Sequence, residues 1–391
     1  MTAYDAIVVG AGPAGSTAAR LLAQRGARVL LLDRARFPRE KPCGGGVTLA
    51  AANELDIDLS PVTERTITEV RVSYRLGKPF TRTWPEPLTY MTQRCRLDAF
   101  LAERAGAAGA DFRDGLGVRD VELSDSDVTV RANGDVHRAR TLIGADGVNG
   151  IVARTIGIAA ADASFIALEG NIPADGALSD RWRNTVAVDL GGTPGGYGWL
   201  FPKGDHLNVG VGGWRWIGPT LRARLAALCQ HLGLDDTRMF GVRGYHLPTR
   251  VRGALLSRGP ALLAGDAAGL VDPLSGEGIH AAFLSGRLAA EAAGRVLDGE
   301  TGSLERYDAA MARELLPDIE MSRKLQRAFQ RTPRVYVGLM RRSDRFWGAV
   351  AGFVRGTNSY SRFRRHLGPL AWAIDAVAAL SAPTAPDTRR A

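Results

Sequence analysis

The sequence has too few cysteines, too widely spaced, to build a covalent framework or a metal cluster. Cys43, Cys95 and Cys229 are the three cysteines of the 391 residues, and they lie far apart. Neither a disulfide framework nor the close spacing of a zinc or iron–sulfur site can be formed from them. The sequence therefore predicts no metal site and a protein of a reducing compartment.

Long apolar runs are also missing. The first predicted strand begins by Asp5, which leaves no room for a cleaved leader. The most apolar late segment, residues 370–380, is interrupted by Asp375 and is shorter than the roughly 20 residues that a membrane-spanning helix needs. We therefore expect a cytoplasmic protein that does not cross a membrane, with a disordered tail from Pro383 onward.

Positive charge is scarce outside one region. The net charge is +9, but residues 321–366 hold twelve Lys and Arg against one acid, Asp344, and so carry +11. The rest of the chain sums to −2. A local excess of this kind indicates a function of one surface rather than general binding to nucleic acid, so no nucleic-acid partner is predicted.

What the sequence does contain is a strand, turn, helix, strand and acid at its start. An apolar run precedes Gly10-x-Gly12-x-x-Gly15, and a second apolar run ends on Asp33. The three glycines allow a sharp turn, the approach of a pyrophosphate and close helix–strand packing, while the helix N-terminus holds the phosphates. Asp33 can accept a hydrogen bond from a ribose hydroxyl. The stretch predicts a dinucleotide site, for either FAD or NAD(P).

Two further Gly-Asp turns decide between these cofactors. Gly144-Ala-Asp-Gly147 and Gly265-Asp-Ala-Ala-Gly269 each follow a predicted strand, and a predicted helix begins at Arg94. Together with the turn at Gly10, they resemble the flavoproteins built like para-hydroxybenzoate hydroxylase over most of the chain. The resemblance implies FAD as the cofactor, with Asp266 at its ribityl or pyrophosphate part and Arg94 nearby.

A helix start after the last Gly-Asp turn is the expected site of the flavin ring. Gly276 and Gly278 allow backbone N–H groups to approach the pyrimidine edge, where the helix dipole favours the negative charge of reduced flavin. The predicted cofactor-binding residues are Gly10, Gly12, Ala14, Gly15, Asp33, Arg34, Cys43, Gly44, Gly45, Arg94, Asp146, Gly265, Asp266, Gly276, Gly278 and Ile279.

The patterns predict an α/β fold in which a Rossmann-type FAD-binding domain is joined to a mainly antiparallel β-sheet substrate domain and a helical C-terminal region. The FAD-binding domain is predicted over residues 1–72, 91–163 and 246–320, the substrate domain over 73–90 and 164–245, and the basic helical region with its tail over 321–391. The main helices are expected at residues 47–55, 94–106, 219–232 and 277–297. Strands are expected at residues 66–74, 80–84, 118–123, 128–131, 136–139, 141–147 and 260–266.

One strand carries the strongest indication of function. Tyr197, Trp199 and Phe201 alternate, so they point to one face of a strand, and glycines leave space beside them. Taken alone, this is an ordinary aromatic stripe. The Tyr-x-Trp-x-Phe-Pro sequence is similar, however, to that of geranylgeranyl reductases, and Lys41-Pro-Cys-Gly-Gly-Gly46 resembles the Cys-Gly loop of the same family.

This resemblance implies an FAD-dependent reductase that saturates carbon–carbon double bonds of a prenyl chain. An isolated alkene has no carbonyl to polarise, so hydride transfer from reduced flavin must be coupled to protonation of the other carbon. Cys43 and Tyr197 are both candidate donors, and the residues give no basis for choosing. Cys43, Tyr197 and Trp199 are the predicted catalytic residues, and Tyr197, Trp199 and Phe201 the predicted substrate-binding residues. NADPH or ferredoxin is expected as a transient electron donor, because no second GxGxxG unit exists.

Other functions on the same fold are weighed against this one. A flavin monooxygenase would hydroxylate or epoxidise a small-molecule intermediate. A flavin-dependent halogenase carries Trp-x-Trp-x-Ile-Pro, which the sequence from Tyr197 to Pro202 matches in part, although Tyr197 and the Cys-Gly loop argue against halogenation. A non-catalytic flavin-binding module is disfavoured because every FAD segment is retained.

The basic region leaves two interpretations open. Leu339, Phe346 and Phe353 recur every seven residues, with Val350 on the same side, and arginines flank them. Residues 321–366 are predicted either to contact an anionic membrane surface peripherally, at the inner face of the membrane, or to form a helical cap on the core. The oligomeric state is not predicted.

Overall fold

Strands dominate the first two thirds of the chain, and helices dominate the last third. The computed structural model describes residues 2–366. Its strands are β1 (Thr2–Val9), β2 (Val29–Leu32), β3 (Gly46–Thr48), β4 (Arg65–Ile67), β5 (Glu69–Tyr74), β6 (Phe80–Thr83), β7 (Thr89–Met91), β8 (Asp111–Arg113), β9 (Val118–Leu123), β10 (Val128–Ala132), β11 (Asp135–Gly144), β12 (Ala161–Pro173), β13 (Thr185–Leu190), β14 (Tyr197–Pro202), β15 (His206–Trp214), β16 (Phe240–Arg250), β17 (Ser257–Arg258) and β18 (Ala261–Leu263). Its helices are α1 (Pro13–Gln24), α2 (Leu49–Ala52), α3 (Arg94–Ala107), α4 (Val152–Thr155), α5 (Gly176–Arg181), α6 (Leu221–Leu232), α7 (Ile279–Leu297), α8 (Glu305–Glu314), α9 (Leu316–Arg331), α10 (Pro333–Arg342), α11 (Asp344–Arg355) and α12 (Tyr360–His366).

The first sheet forms around β1 because both faces of this strand are apolar. Ala6, Ile7 and Val8 are fully buried, as is typical of a parallel strand covered by helices. The strand order is β17-β18-β11-β1-β2-β8, and β10 and β9 continue antiparallel from β11. α1 packs against α3 and α7. The predicted Rossmann-type fold is confirmed.

The second sheet has the order β16-β12-β15-β14-β13-β5-β6. Its pairs are antiparallel except β13 with β5. α6 covers one face, where Leu225 and Leu228 join Leu200 and Val209 in a hydrophobic cluster. The predicted antiparallel sheet is therefore confirmed. Because β5 and β16 extend across residues 72 and 245, the predicted domain boundaries at those residues fall inside strands, and the division into domains stays a prediction.

Three local predictions are wrong. Residues 66–74 are not one strand, since β4 pairs with β7 whereas β5 pairs with β13 and β6 in the second sheet. Residues 47–55 do not form one helix: β3 pairs with β7 in a three-stranded sheet, and only Leu49–Ala52 is helical. Residues 136–139 and 141–147 are not separate strands, since β11 runs unbroken through Asp135–Gly144. It stays continuous because β1 pairs along nearly its whole length.

The C-terminal helices pack beside the second sheet. Trp347 and Ala351 of α11 are buried against Leu88, which lies just before β7. The predicted helical character of this region is confirmed. The apolar segment 370–380 and the predicted disordered tail lie outside the described residues. Within the described part of the chain, no helix has the length and apolar character needed to cross a bilayer.

Candidate active site

A single cavity brings together almost all of the predicted site residues. Its volume is about 1050 Å³, at the upper end of the roughly 300–1,000 Å³ typical of ligand sites. It is lined by the Gly-rich turn, both Gly-Asp turns, the Cys43 loop, β14, the start of α7 and the C-terminal helices. Gly15 is the one predicted site residue that does not line it.

The three glycines of the first turn have different surroundings. Gly10 has φ +101°, and a Cβ there would lie 2.3 Å from the carbonyl oxygen of Ala145. At Gly15 a Cβ would lie 1.8 Å from the carbonyl oxygen of Gly10. At Gly12 the nearest atom would be Nη2 of Arg39, at 3.6 Å. Gly10 and Gly15 are therefore required by packing, whereas Gly12 is open toward the cavity.

Asp33 holds the Gly-rich turn as well as lining the cavity. Its buried carboxylate accepts the N–H of Ala11 at 2.8 Å and the N–H of Ala35 at 2.9 Å. Arg34, also predicted, lines the same part of the cavity. Arg39 was not predicted, yet its guanidinium lies 3.9 Å from the carboxylate of Asp33.

Arg94 lies at the start of α3 with its guanidinium fixed. It donates two hydrogen bonds of 2.8 Å to Asp98, one helical turn along, and Arg39 forms an ion pair of 3.0 Å with the same carboxylate. Burial lowers the pKa of Arg94, but Asp98 and Cys43 outweigh this and leave it raised. The guanidinium is therefore a permanent buried cation beside Cys43.

The two Gly-Asp turns differ in what their carboxylates contact. Asp146 accepts the N–H groups of Ile151 and Val152 at 2.6 and 3.0 Å, so it caps α4. Its Oδ1 is buried without a hydrogen-bond partner among the described residues, and burial raises the pKa of this carboxyl. Asp266 instead accepts a hydrogen bond of 2.9 Å from Lys41. Burial raises the pKa of Asp266, but Lys41 and Arg94 outweigh it and leave the pKa lowered.

The residues around the cavity fit FAD. Gly12 leaves backbone accessible at the start of α1, and Gly276, Gly278 and Ile279 line the cavity at the start of α7. Helix N-termini of this kind bind phosphate and other negative charge. The unpartnered Oδ1 of Asp146 offers an acceptor on the same wall. Chain segments that are far apart in sequence thus offer groups suited to different parts of one dinucleotide.

The Cys43 loop needs its glycines for close contacts. A Cβ on Gly44 would lie 2.6 Å from the ring of Phe201, and one on Gly45, with φ +65°, would lie 2.0 Å from the carbonyl oxygen of Thr92. The N–H of Cys43 donates to Glu169 at 2.6 Å, and the N–H of Gly45 donates to Sγ of Cys43 at 3.4 Å. The loop is thereby held against the aromatic strand.

The aromatic residues of β14 form a ladder along the cavity. The ring centroid of Trp199 lies 6.0 Å from that of Tyr197 and 6.3 Å from that of Phe201. Nε1 of Trp199 donates to Asn208 at 2.8 Å. The hydroxyl of Tyr197 donates to the carbonyl oxygen of Ser275, and burial, Asp272, Glu277 and Cys43 raise the pKa of Tyr197. The phenol proton of Tyr197 is thus engaged with the turn before α7.

Three polar residues near Cys43 were missed by the sequence analysis. Glu169 and Lys203 are buried, and Tyr245 donates its hydroxyl to Glu169 at 3.2 Å. Glu169 was detectable as the one carboxylate in the middle of an apolar strand, and Lys203 as the residue after the aromatic motif. Tyr245 gave no comparable signal.

The apolar side of the C-terminal helices faces the cavity. Phe346, Val350 and Phe353 line it, but Leu339 is 42% exposed. The predicted common face of these four residues is therefore wrong for Leu339. The reason is a break in the helix: Ser343 ends α10 and caps α11 by accepting the N–H of Phe346 at 3.2 Å.

Comparisons with known proteins identify the family. Residues 3–189 match the model of the FAD binding domain. The geranylgeranyl diphosphate reductase of Rhodobacter capsulatus is 35% identical over 318 residues, which are 80% of this chain and 80% of that protein. The chloroplastic geranylgeranyl diphosphate reductase of Arabidopsis thaliana is 32% identical over 354 residues, covering 83% of this chain and 74% of that protein.

A solved structure agrees with these relatives in fold. The geranylgeranyl bacteriochlorophyll reductase-like protein of Thermoplasma acidophilum superposes with a TM-score of 0.77 and 24% identity, over 95% of this chain and 100% of that one. FAD is therefore the cofactor, and the chain belongs to the geranylgeranyl reductase family of FAD-dependent oxidoreductases.

Proposed function

We propose that this protein saturates carbon–carbon double bonds of a prenyl chain. Family membership supports this function, and one observation carries it to this chain: aromatic and aliphatic side chains of β14 and α11 line the same cavity as the Cys43 loop. We call this part of the cavity the apolar arm. Such an arm excludes water and offers dispersion contacts to an uncharged chain. A polar substrate would leave its hydrogen-bonding groups unpaired there.

The cofactor would be held mainly by backbone and by fixed charges. The N–H groups at the starts of α1 and α7 would bind its phosphates and its ring edge, Gly12 would give the space for that approach, and Asp266 and Arg94 would contact its middle part. When bound and reduced, FAD supplies the hydride. The ladder of Tyr197, Trp199 and Phe201 orients the prenyl chain beside it.

Cys43 is the group that provides the proton to the alkene. The hydroxyl of Tyr197 is engaged with Ser275, and its raised pKa makes it a weak acid. Cys43 lies on the cavity wall between Arg94 and the aromatic ladder. Tyr197 then has a different role: its hydrogen bond holds the turn that leads to Gly276 and the start of α7.

Two substitutions test these roles. Cys43→Ala is expected to keep bound FAD and lose alkene reduction by at least about 100-fold, the usual contribution of a general acid. Tyr197→Phe is expected to lower FAD affinity and activity together, since it releases the Ser275 turn. Turnover of Cys43→Ala at the wild-type rate would remove Cys43 from the protonation step.

An anaerobic assay tests the reaction itself. The bound flavin is reduced chemically and mixed with geranylgeranyl diphosphate without oxygen, and we expect reoxidation with formation of the saturated product. A strict requirement for oxygen would favour the monooxygenase alternative, and a requirement for oxygen and halide the halogenase. Either result would overturn the reductase proposal.

NADPH or ferredoxin is the electron donor we propose, bound only transiently. This rests on the lack of a second GxGxxG unit in the sequence. Rapid mixing of the oxidised protein with each donor, followed by the flavin absorbance, distinguishes them. Failure of both donors to reduce the flavin would contradict this part of the proposal.

Part of the basic region is proposed as a peripheral membrane contact. The contact surface consists of the exposed side chains of Leu76, Trp216, Val335 and Leu339 together with Arg331 and Arg334; we call it the α10 surface. Four of its side chains are apolar yet 37–57% exposed. Five of its residues line a shallow depression of about 910 Å³, and no Asp or Glu of the described chain lines that depression. Exposed apolar groups beside unopposed arginines suit an anionic bilayer surface.

A further inference from the structure

Two buried side chains hold the Cys43–Gly44 segment at its two ends. At its start, Oε1 of Glu169 accepts the N–H of Cys43, which belongs to the Pro42–Cys43 peptide, at 2.6 Å. At its end, Nζ of Lys203 donates to the carbonyl oxygen of Gly44, which belongs to the Gly44–Gly45 peptide, at 2.5 Å. Each of the two peptides that flank the Cys43–Gly44 bond is therefore fixed by one buried side chain.

Burial of both groups is unusual. Lys203 is 4% exposed and Glu169 is 5% exposed, whereas Lys and Glu are rarely fully buried unless paired. Burial lowers the pKa of Lys203 to about 8, with Cys43, Glu64 and Glu169 opposing the change. Burial raises the pKa of Glu169. Charged groups kept in such surroundings are typical of functional sites.

The two fixed peptides determine the direction of the thiol. Gly45 takes φ +65°, and its N–H donates back to Sγ of Cys43 at 3.4 Å, so the turn and the sulfur move together. A Cβ on Gly45 would lie 2.8 Å from Nζ of Lys203, which shows how closely the ammonium follows the turn. A displacement of either flanking peptide would break its contact with Glu169 or Lys203 and would redirect Sγ.

We propose that Lys203 and Glu169 are positioning residues that hold the two peptides on either side of the Cys43–Gly44 bond and thereby direct Sγ of Cys43 toward the substrate. The pair is called the loop clamp below. It rests on the proposed function, because that function gives Cys43 the protonation step. The contacts of the loop clamp are independent of which substrate is reduced.

Alkylation of Cys43 tests the loop clamp without a substrate. FAD-loaded wild type, Lys203→Met and Lys203→Arg are treated with iodoacetamide on both sides of pH 8, and modification of the Cys43 peptide is followed by mass spectrometry. Because loss of the Lys203 contact frees the Gly44–Gly45 peptide and redirects Sγ, Lys203→Met is expected to react about tenfold more slowly below pH 8. In Lys203→Arg the rate of Cys43 alkylation is expected to equal that of the wild type. This rate is expected to show no change near pH 8, because arginine stays protonated there. Lys78→Met, at an exposed position, is the matched control.

Turnover gives the second readout. In Lys203→Met, kcat for prenyl reduction is expected to fall by about 100-fold with KM and FAD content little changed, whereas Lys203→Arg stays within about tenfold of wild type. Wild-type kcat decreases above pH 8, and that of Lys203→Arg does not. If Lys203→Met fails to fold, the isosteric variant Glu169→Gln is measured in its place. Its kcat for prenyl reduction is expected to be lower than that of the wild type.

Alkylation and kcat at the wild-type level in Lys203→Met, or kcat at the wild-type level in Glu169→Gln where it replaces Lys203→Met, would overturn the loop clamp. If the wild-type protein reduces no prenyl substrate, the proposed function fails instead. The alkylation result still decides the loop clamp in that case.

Discussion

The glycines of the first turn differ in what a side chain at their position would disturb: the packing of the fold or the binding of the cofactor. Gly10 and Gly15 have no room for a methyl group, whereas Gly12 is bordered only by the end of the Arg39 side chain. The same residue type therefore has a packing function at two positions and a binding function at the third.

Gly12→Ala and Gly15→Ala are expected to affect different properties, FAD binding in the first case and stability in the second. Gly12→Ala keeps the fold but places a methyl group where a phosphate approaches, so bound FAD falls by at least about tenfold. Gly15→Ala forces a clash of 1.8 Å with backbone and destabilises the protein by about 3 kcal/mol or more. Flavin absorbance and thermal unfolding measure the two effects. Full FAD content in Gly12→Ala would show that this glycine does not border the phosphates.

Glu169 carries a stability cost that depends on pH. Because burial raises its pKa, the folded state disfavours the charged form: the cost is absent below the unfolded pKa and grows as the pH rises toward the folded pKa. Glu169→Gln is therefore expected to raise the melting temperature at neutral pH, and the gain is expected to vanish in acid. Melting curves across this pH range measure it, with Glu103→Gln, at an exposed position, as a control. A lower melting temperature at neutral pH would contradict the prediction.

At the scale of elements, the break between α10 and α11 decides what the C-terminal helices do. α11 turns Phe346, Val350 and Phe353 into the cavity, while α10 keeps Val335 and Leu339 at the surface. One basic region thus forms both a wall of the cavity and the α10 surface. The prediction that this region forms a helical cap on the core applies to α11. The prediction that it contacts an anionic membrane surface concerns α10 and stays a proposal.

Val350→Phe is expected to shorten the space for the substrate. Overfilling a packed site typically costs about 1–3 kcal/mol, so kcat/KM for geranylgeranyl diphosphate should fall by about tenfold or more. Geranyl diphosphate, with a chain half as long, should be affected much less. Val242→Phe, on the exposed part of β16, is the control. An equal loss for both substrates would place Val350 away from the bound chain.

At the scale of the whole molecule, the cavity exists only because three parts of the chain meet. The first sheet gives the Gly-rich and Gly-Asp turns, the second sheet gives β14, and the C-terminal helices close the apolar arm. The α10 surface lies beside this arm, since Gln330 lines both the cavity and the shallow depression. Membrane contact at the α10 surface, as proposed, would bring the apolar arm close to the lipid phase.

Membrane binding should depend on the arginines of the α10 surface. Each basic residue near an anionic bilayer contributes about 1 kcal/mol, so Arg331→Gln with Arg334→Gln should weaken binding by about 30-fold. Co-sedimentation with anionic and neutral liposomes measures it. The pair Arg119→Gln and Arg138→Gln makes the same charge change at exposed positions elsewhere. Equal binding to both kinds of liposome, or equal effects of the two pairs, would exclude this surface.

The local patterns of the sequence predicted a dinucleotide site and, through the family that they resemble, FAD and much of the fold. The turn from Gly10 to Gly15, the Gly-Asp turns and the alternation of Tyr197, Trp199 and Phe201 depend on neighbours a few residues away, so they could be predicted. That the predicted site residues, apart from Gly15, lie around one cavity depends on the packing of distant segments.

The tertiary structure decided which polar groups face each other. Glu169 and Lys203 come from separate segments, and their charges matter only because the fold buries them against the two peptides that flank the Cys43–Gly44 bond. The partner of Tyr197, the capping role of Asp146 and the outward position of Leu339 likewise depend on contacts between distant elements. Burial and distance determine these roles, and both arise only when the sheets and helices pack together.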